Sequence, residues 1–222
     1  MIKYNLKQGD VNNSAERTKY LYQNTDKFPS NGRCCFFAAN SERKGIFMLH
    51  IIKHFKTVTK HKKLVFVHCV RSGIPWRGLI HDLSKYSPAE FIAGAKFYDG
   101  HRSPTELERK EFGYSAAWMH HKGRNRHHFE YWTDYNPNTK QLEAVKMPVK
   151  YVKEMFCDRV AAGKVYLGDK YTNDNPIDYF LKGRAKDAMH PQTAELLGRW
   201  LSLLQKEGEA SVFREIRKTK SY

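Results

Sequence analysis

Residues 48–72 read MLHIIKHFKTVTKHKKLVFVHCVRS, with apolar side chains at the spacing of an α-helix. Gly73 and Pro75 follow this segment, and both residue types stop helices. We therefore predict a long helix that ends at Ser72. The apolar positions that define its period are Leu49, Ile52, Phe55, Val58, Leu64, Val67 and Val70.

Signals for helix starts recur along the rest of the chain. A Ser-Pro pair supplies an N-cap residue and a proline for the first turn at Ser87–Pro88 and Ser103–Pro104. One helix is expected to end near Gly123, and the last to reach about Lys206. No strand alternation or hairpin dipeptide lies between these segments, so we predict an all-α fold in a single domain. The other predicted helix starts are Pro75, Tyr114, Met147–Pro148, Asn175–Pro176 and His190–Pro191.

The first 47 residues differ in character from the rest of the chain. Their apolar residues have no sustained period, and a turn cluster occupies Phe28 to Gly32. We therefore predict a loosely ordered extension over residues 1–47, a helical domain over 48–217 and a short tail over 218–222. A chain of 222 residues is long enough for such a domain to bury its own core.

The chain is strongly basic. It carries 39 Lys and Arg against 23 Asp and Glu, which gives a formal net charge of +16 and a pI near 9.6. Nine basic residues lie between Arg43 and His81, and no acid interrupts them. This charge favours anionic partners, either a small phosphorylated substrate or a nucleic acid. A solvated basic helix face is the simpler alternative for the same run.

Composition also narrows the compartment. No apolar run approaches the roughly 18 residues that a membrane span needs, and residues 1–15 lack the apolar centre of a secretory signal. We therefore expect a cytoplasmic protein without a membrane partner, of undetermined oligomeric state. Cys34 and Cys35 are adjacent, and Cys69 and Cys157 are isolated, so we expect reduced thiols and not zinc ligands or disulfides.

The histidines are concentrated in one part of the chain. Ten of the eleven lie between residues 50 and 128. Imidazole is the commonest ligand of transition metals, and clustering with Asp favours a metal site over isolated structural roles. Four of these histidines share one stripe of the first predicted helix, at offsets of 0, 4, 11 and 18 residues: His50, His54, His61 and His68.

An adjacent His81–Asp82 pair follows an apolar run within the segment GLIHDLSK, residues 78–85. Neighbouring side chains on a helix point about 100° apart, so both reach one ion only where the helix borders the site. This segment resembles the HD superfamily of metal-dependent phosphohydrolases, in which an early His, the His-Asp doublet and a distant Asp bind metal. The resemblance implies an HD-like helical bundle, and it implies that Lys85 contacts phosphate.

The early histidine is chosen by its distance from the turn. If the helices on either side of Gly73 form an antiparallel hairpin, side chains equally far from the turn lie level with each other. His81 lies eight residues after Gly73, and His61 lies twelve before it. His61 is therefore the best match. His68 is second, and His54 is expected to lie beyond the site.

The distant acid is expected inside a late helix. Asp158 shares a mostly apolar stripe with Tyr151 and Met155, so its carboxylate should point inward. A buried carboxylate needs a partner, which is either a metal or a neighbouring cation such as Arg159. Asp158 follows Asp82 by 76 residues, a separation typical of the HD superfamily.

Residues 120–130 read HHKGRNRHHFE, with four imidazoles in nine residues. So many polar groups exclude a core position, which leaves a solvated basic loop or a second metal-binding group. The segment is similar to the paired histidines of HD phosphodiesterases that bind two or three metals. It lacks their GYP signature, so hydrolysis of cyclic dinucleotides is not implied. We expect His121 and His128, with His120 or His127, to hold a second ion or to protonate the leaving group.

These candidates define a predicted site. His61, His81, Asp82 and Asp158 would hold the first ion, and a His/Asp cage suits Fe, Mn, Zn or Ni, as one ion or two. The cations expected to clamp phosphate are Lys122, Arg124 and Arg126, and those expected to orient ligands from behind are Glu90 and Glu130. The candidate catalytic residues are Asp82, Lys85, His121, Arg124 and His128.

A second resemblance covers most of the chain, from about Met48 to Arg217. It is to a bacterial and phage family known only as a domain of unknown function, whose members begin close to Met48. The name of that family implies no activity, so function has to be argued from the site. The motifs that carry the resemblance are HFKTVTKHKKLV, GLIHDLSKYSPAEF, GYSAAWMHHKGRNRHHFEYW and MPVKYVKEMFCDRVAAGK.

We predict a metal-dependent phosphohydrolase that acts on a nucleotide or another small phosphoester. The main alternative is a non-catalytic basic protein that binds nucleic acid, with a structural metal or none. A structural zinc site is disfavoured because cysteines are few and candidate ligands are in excess. An HNH-type nuclease is disfavoured because no ββ element flanks the paired histidines.

Overall fold

The computed structural model describes residues 33–183 and 185–222, and residues Phe47–Tyr222 form a compact unit. Helix α1 spans Arg33–Arg71 and therefore begins before the expected Met48, while its end agrees with the predicted stop. Gly73 has a φ of +76°, which a glycine adopts without strain. The loosely ordered extension falls mostly on residues 1–32, which lie outside the described residues, so the proposed division of the chain stays a prediction.

Eight further helices follow α1 in the described part of the chain, and most of them begin at or beside a predicted proline. The described chain is overwhelmingly helical, which confirms the all-α class. The helices after α1 are α2 (Pro75–Ile80), α3 (Pro88–Lys96), α4 (Pro104–Phe112), α5 (Ala116–Arg124), α6 (Val149–Leu167), α7 (Asn175–Lys182), α8 (Ala185–Ala188) and α9 (Pro191–Lys218).

A small hairpin departs from the prediction that strands are absent. Strand β1 (Thr133–Asn136) pairs antiparallel with β2 (Gln141–Ala144), and Asn136 lies opposite Gln141. Most of its residues are exposed, so neither face needs the alternating apolar pattern that would have revealed strands. Lys140, at the turn, has a φ of 57°.

The core lies between α6 and α9. Val152, Phe156 and Val160 on α6 are fully buried, and Trp200 and Leu204 on α9 are buried with them. This packing fixes the rotation of α6 about its axis. The face of α6 that carries Glu154 and Asp158 is therefore held in one direction.

Helix α9 continues past its predicted end near Lys206. Gly208 has a φ of +78° and kinks the helix there, after which Val212, Phe213 and Ile216 return to the core. Gly208 interrupts the helical geometry locally. Burial of the apolar residues beyond it favours the helical conformation there.

The described residues contain no helix long and apolar enough to cross a membrane. Cys69 and Cys157 are buried free thiols, as expected from their isolation in the sequence. Cys34 and Cys35 belong to the part of α1 whose side chains the structure does not describe.

Candidate metal centre

The His-Asp doublet lies just beyond α2. The sequence predicted that the doublet lies on this helix. The helix instead ends at Ile80, and His81 and Asp82 begin the turn that follows it. Asp82 adopts a left-handed conformation with a φ of 52°. Both side chains are thereby buried, with exposures of 1% for His81 and 2% for Asp82.

One group of donors comprises His61 from α1, His81 and Asp82 from the turn, and Asp158 from α6; we call it the first donor group. His61 Nε2 lies 3.0 Å from Asp158 Oδ1, and His81 Nε2 lies 3.2 Å from Asp82 Oδ2. One ligand atom from each residue lies within 4.8 Å of the others. Ligands at about 2 Å from a shared ion are separated by roughly 3–4 Å, so this spacing suits a metal.

The second donor group comprises Asp82, His121, His127 and His128. Asp82 Oδ1 lies 3.3 Å from His121 Nε2 and 3.5 Å from His127 Nε2. The carboxylate of Asp82 thus presents one oxygen to each group. An ion held by either group would therefore have the carboxylate of Asp82 among its ligands.

Buried nitrogen atoms without hydrogen bonds support a metal at this place. Within the described part of the chain, five imidazole Nε2 atoms are buried and make no hydrogen bond. The carboxylates of Asp82 and Asp158 lie close to four of these atoms, but not in a geometry that forms a hydrogen bond. Burying so many unsatisfied polar atoms is costly unless another group binds them. The residues present therefore fit a metal centre. The five atoms belong to His61, His81, His121, His127 and His128.

Glu154 is a functional residue that the sequence analysis missed. Its Oε1 accepts a hydrogen bond from His81 Nδ1 at 3.1 Å and lies 3.4 Å from His127 Nδ1. Its Oε2 accepts a hydrogen bond from Arg77 Nε at 2.7 Å. Glu154 thus lies behind both rings, whose Nε2 atoms are near the carboxylate of Asp82, a common arrangement behind metal ligands. The available signal was its position one helical turn before Asp158.

Glu90, predicted to orient ligands, contacts two histidines. Its oxygens accept hydrogen bonds from the Nδ1 atoms of His120 and His121, each at 2.7 Å. His121 presents its Nε2 to the second donor group, whereas His120 is one quarter exposed and belongs to neither group. Of the two histidines that the sequence left open, the structure brings His127 to the site and leaves His120 outside it.

The buried charges shift one another's pKa values. Burial opposes ionisation of His81, but the carboxylate of Asp82 outweighs it and raises the pKa of His81 to about 10. Burial would raise the pKa of Asp82, yet His81 and Lys85 lower it well below its usual value. Burial likewise opposes the charge of Glu154, but the adjacent rings of His127 and His81 lower its pKa to about 2. Burial lowers the pKa values of His61 and His128.

A cavity of about 960 Å³ opens beside the donors. His61, His121, His128 and Asp158 form part of its wall, and Lys85 lines it as well. Lys85 Nζ lies 2.7 Å from Asp82 Oδ2, so the predicted phosphate contact is placed next to the shared carboxylate. The aromatic residues that line the cavity are Tyr98, Trp118, Phe129, Tyr166 and Tyr179.

The cations predicted to clamp phosphate do not line this cavity. Arg124 is exposed at the end of α5, and Arg126 is exposed with its guanidinium 5.5 Å from the ring centre of Tyr131. Lys122, on the same helix, is also absent from the cavity wall. Those residues lie where α5 ends and meets solvent. Other arginines occupy the wall instead: Arg102, Arg109 and Arg159.

The two remaining buried histidines of α1 are packed and belong to neither donor group. His54 lies so close to Gly94 that a Cβ at residue 94 would clash with its Nε2. His68 Nδ1 is 3.2 Å from the carbonyl oxygen of Cys157. Burial lowers the pKa of each to about 4. Of the four α1 histidines, the structure brings His61 into a donor group.

Comparison with known proteins adds a family. A profile described as a family of unknown function, DUF5662, matches residues 50–203. The chain belongs to the DUF5662 family. No curated protein and no solved structure matches the chain significantly. The DUF5662 match includes every residue of both donor groups, and the family description states no activity.

Proposed function

We propose that this protein is a metal-dependent phosphohydrolase that acts on a nucleotide or another small phosphoester. The observation that carries the proposal is the shared carboxylate of Asp82, with one oxygen facing each of two buried donor groups at the wall of a cavity. Such a pair of groups is suited to two ions. When bound, Fe, Mn, Zn or Ni would lower the pKa of a coordinated water and polarise a phosphoryl oxygen.

The residues of the chain have distinct parts in this proposal. Both donor groups would hold the ions, and Glu154 and Glu90 would keep the imidazole rings in orientation. Lys85 carries its charge beside Asp82 at the cavity wall, where it would attract a phosphate. Sequence order supports the same chemistry, since His61, the doublet and Asp158 follow the order of the HD superfamily.

The cavity supports a small substrate. Its volume of about 960 Å³ lies within the range of pockets for small molecules and exceeds what a phosphate group alone requires. Aromatic side chains on its wall offer faces on which a base could stack. A net charge of +16 adds a general attraction for anions.

Metal content tests the proposal directly. Wild-type protein and Asp82→Asn, purified in parallel and reconstituted with Mn²⁺, would be compared by elemental analysis and by release of phosphate from a panel of phosphomonoesters that includes nucleoside monophosphates. Asparagine is chosen because it matches the shape of Asp82 and tolerates a left-handed backbone. We expect one to two ions per wild-type chain and loss of both metal and turnover in the variant. Turnover that persists without metal would refute the mechanism.

A basic surface supports the second candidate, binding of nucleic acid. Lys53, Lys56, Lys60 and Lys63 are all exposed on one side of α1, within a segment that has no acid. If the histidines bind no metal after reconstitution, this candidate takes first place. It predicts that labelled single-stranded DNA binds in a fluorescence anisotropy assay, and that replacing the four lysines with glutamine weakens binding and reduces its salt dependence.

A further inference from the structure

We propose that Arg159 is the principal phosphate-binding residue of the cavity. The inference rests on the proposed function, which supplies the chemical class of the ligand. It places the anion site on α6, whereas the sequence predicted it near the end of α5. Arg159 lines the cavity together with Lys85, His128 and Asp158. It directly follows Asp158, so its backbone lies at the edge of the first donor group.

The three half-buried arginines of the described chain differ in their partners. Arg71 Nη1 lies 2.6 Å from Glu209, and Arg77 Nε lies 2.7 Å from Glu154. Arg159 makes no ion pair and no hydrogen bond with any residue that the structure describes. A half-buried guanidinium has lost part of its hydration, which a partner normally replaces. An anion bound in the cavity would supply that partner at Arg159.

The nearest aromatic contact does not supply this partner. The guanidinium carbon of Arg159 is 5.9 Å from the ring centre of Phe180, which is a weak contact. The carboxylate of Asp158 lies 3.0 Å from His61 and forms no ion pair with Arg159. The described residues therefore leave the donors of Arg159 free to bind a ligand of the cavity.

Glu130 is the competing explanation within the cavity. It lines the same wall, and its buried Oε2 also has no hydrogen-bond partner among the described residues. Yet Glu130 forms no ion pair with Arg159 in the described part of the chain. If the two residues pair in solution, Glu130→Gln would free Arg159 and strengthen anion binding. We expect no more than a two-fold change on that substitution.

A phosphate monoester matches these features. A guanidinium presents two parallel N–H donors to two oxygens of one tetrahedral anion, which a lysine cannot do. Lys85, which lines the same cavity, lies 2.7 Å from the shared carboxylate of Asp82 and offers a second cation to the anion. The rest of the substrate would then extend into the remaining cavity.

The test uses inorganic phosphate as the probe and calorimetry as the measurement, on EDTA-treated and on Mn²⁺-loaded full-length protein. Arg159→Gln should weaken phosphate binding by about 10-fold or more in both forms, with unchanged metal content. Arg124→Gln is the matched control, since it removes an exposed arginine outside the cavity and should change binding less than two-fold. Equal binding by wild type and Arg159→Gln would overturn the inference.

A measurement on the wild-type chain covers the case in which Arg159→Gln does not fold. Phenylglyoxal modification followed by peptide mass spectrometry should show Arg159 protected by phosphate and Arg124 unprotected. Equal modification of Arg159 with and without phosphate would reject the assignment. Dependence on Arg159 in protein that binds no metal would uphold this inference while the proposed function fails. Metal-dependent turnover with phosphate binding independent of Arg159 would do the reverse.

Discussion

The two donor groups share Asp82 but differ in what holds them. His61 and Asp158 of the first group project from two long helices, α1, which contributes Val65 and Cys69 to the core, and α6, which is largely buried. In the second group, His121 lies near the end of α5, and His127 and His128 lie in the loop that follows it. A ligand on a packed helix is fixed more closely than one on a loop. We therefore expect the first group to be the tighter site.

Removing one ligand from each group should reveal this difference in affinity most strongly. Asp158→Asn should lower the metal affinity of the first site by more than about 100-fold. Loss of a ligand should cost more than loss of a residue that only orients a ligand, which typically costs about 10–100-fold. His128→Gln should leave one tightly bound ion per chain. Elemental analysis and Mn²⁺ electron paramagnetic resonance would measure both. A variant at His128 that loses all metal, beside an Asp158 variant that keeps one ion, would invert the ranking.

The carboxylates behind the rings give a smaller effect. Glu154 contacts His81 of the first group and lies near His127 of the second, whereas Glu90 bonds only to His121 among the ligands. Glu154→Gln should therefore lower Mn²⁺ affinity at both sites by about 10–100-fold, and Glu90→Gln should affect the second site alone. Competition with a chromophoric chelator would resolve the two steps. Equal effects of both variants on the first site would contradict this difference.

Proton release on metal binding is the smallest expected difference. With a pKa of about 10, His81 is protonated near pH 7 in the metal-free chain and must lose that proton to bind through Nε2. The lowered pKa of His128 means that this ring is already neutral. Affinity of the first site should hence rise with pH up to about pH 10.

Calorimetry of His128→Gln with Mn²⁺, in PIPES and in Tris at one pH, isolates the first site because these buffers differ in ionisation enthalpy. A heat that depends on the buffer and corresponds to about one proton is expected. Identical heats in the two buffers would show that His81 is already neutral.

The sequence predicted the parts of the site that depend on helical period. His61 followed from its distance to the turn at Gly73, and Asp158 from its place on an inward stripe, and the structure brings both together. The hairpin after α5 was missed because its exposed strands carry no alternating pattern.

Contacts between distant elements could not be predicted. Glu154 is recognisable only once α6 faces the doublet, since a carboxylate in a helix is usually solvated. Arg124 and Arg126 were favoured because phosphate clamps there fit the positive charge of the chain. Arg159 adjoins the donors, but the cavity that makes it useful exists only in the fold.

The backbone of Asp82 has an evolutionary consequence. A left-handed φ of 52° costs a residue with a Cβ on the order of 1 kcal/mol relative to glycine, and the position adds a buried charge. Replacement by glycine would relieve the conformational cost while removing the carboxylate on which both donor groups depend. Selection for thermal stability alone would thus favour chains that have lost this carboxylate and, with it, the proposed activity. Retention of an acidic residue at position 82 in related chains would indicate selection for activity and not for stability.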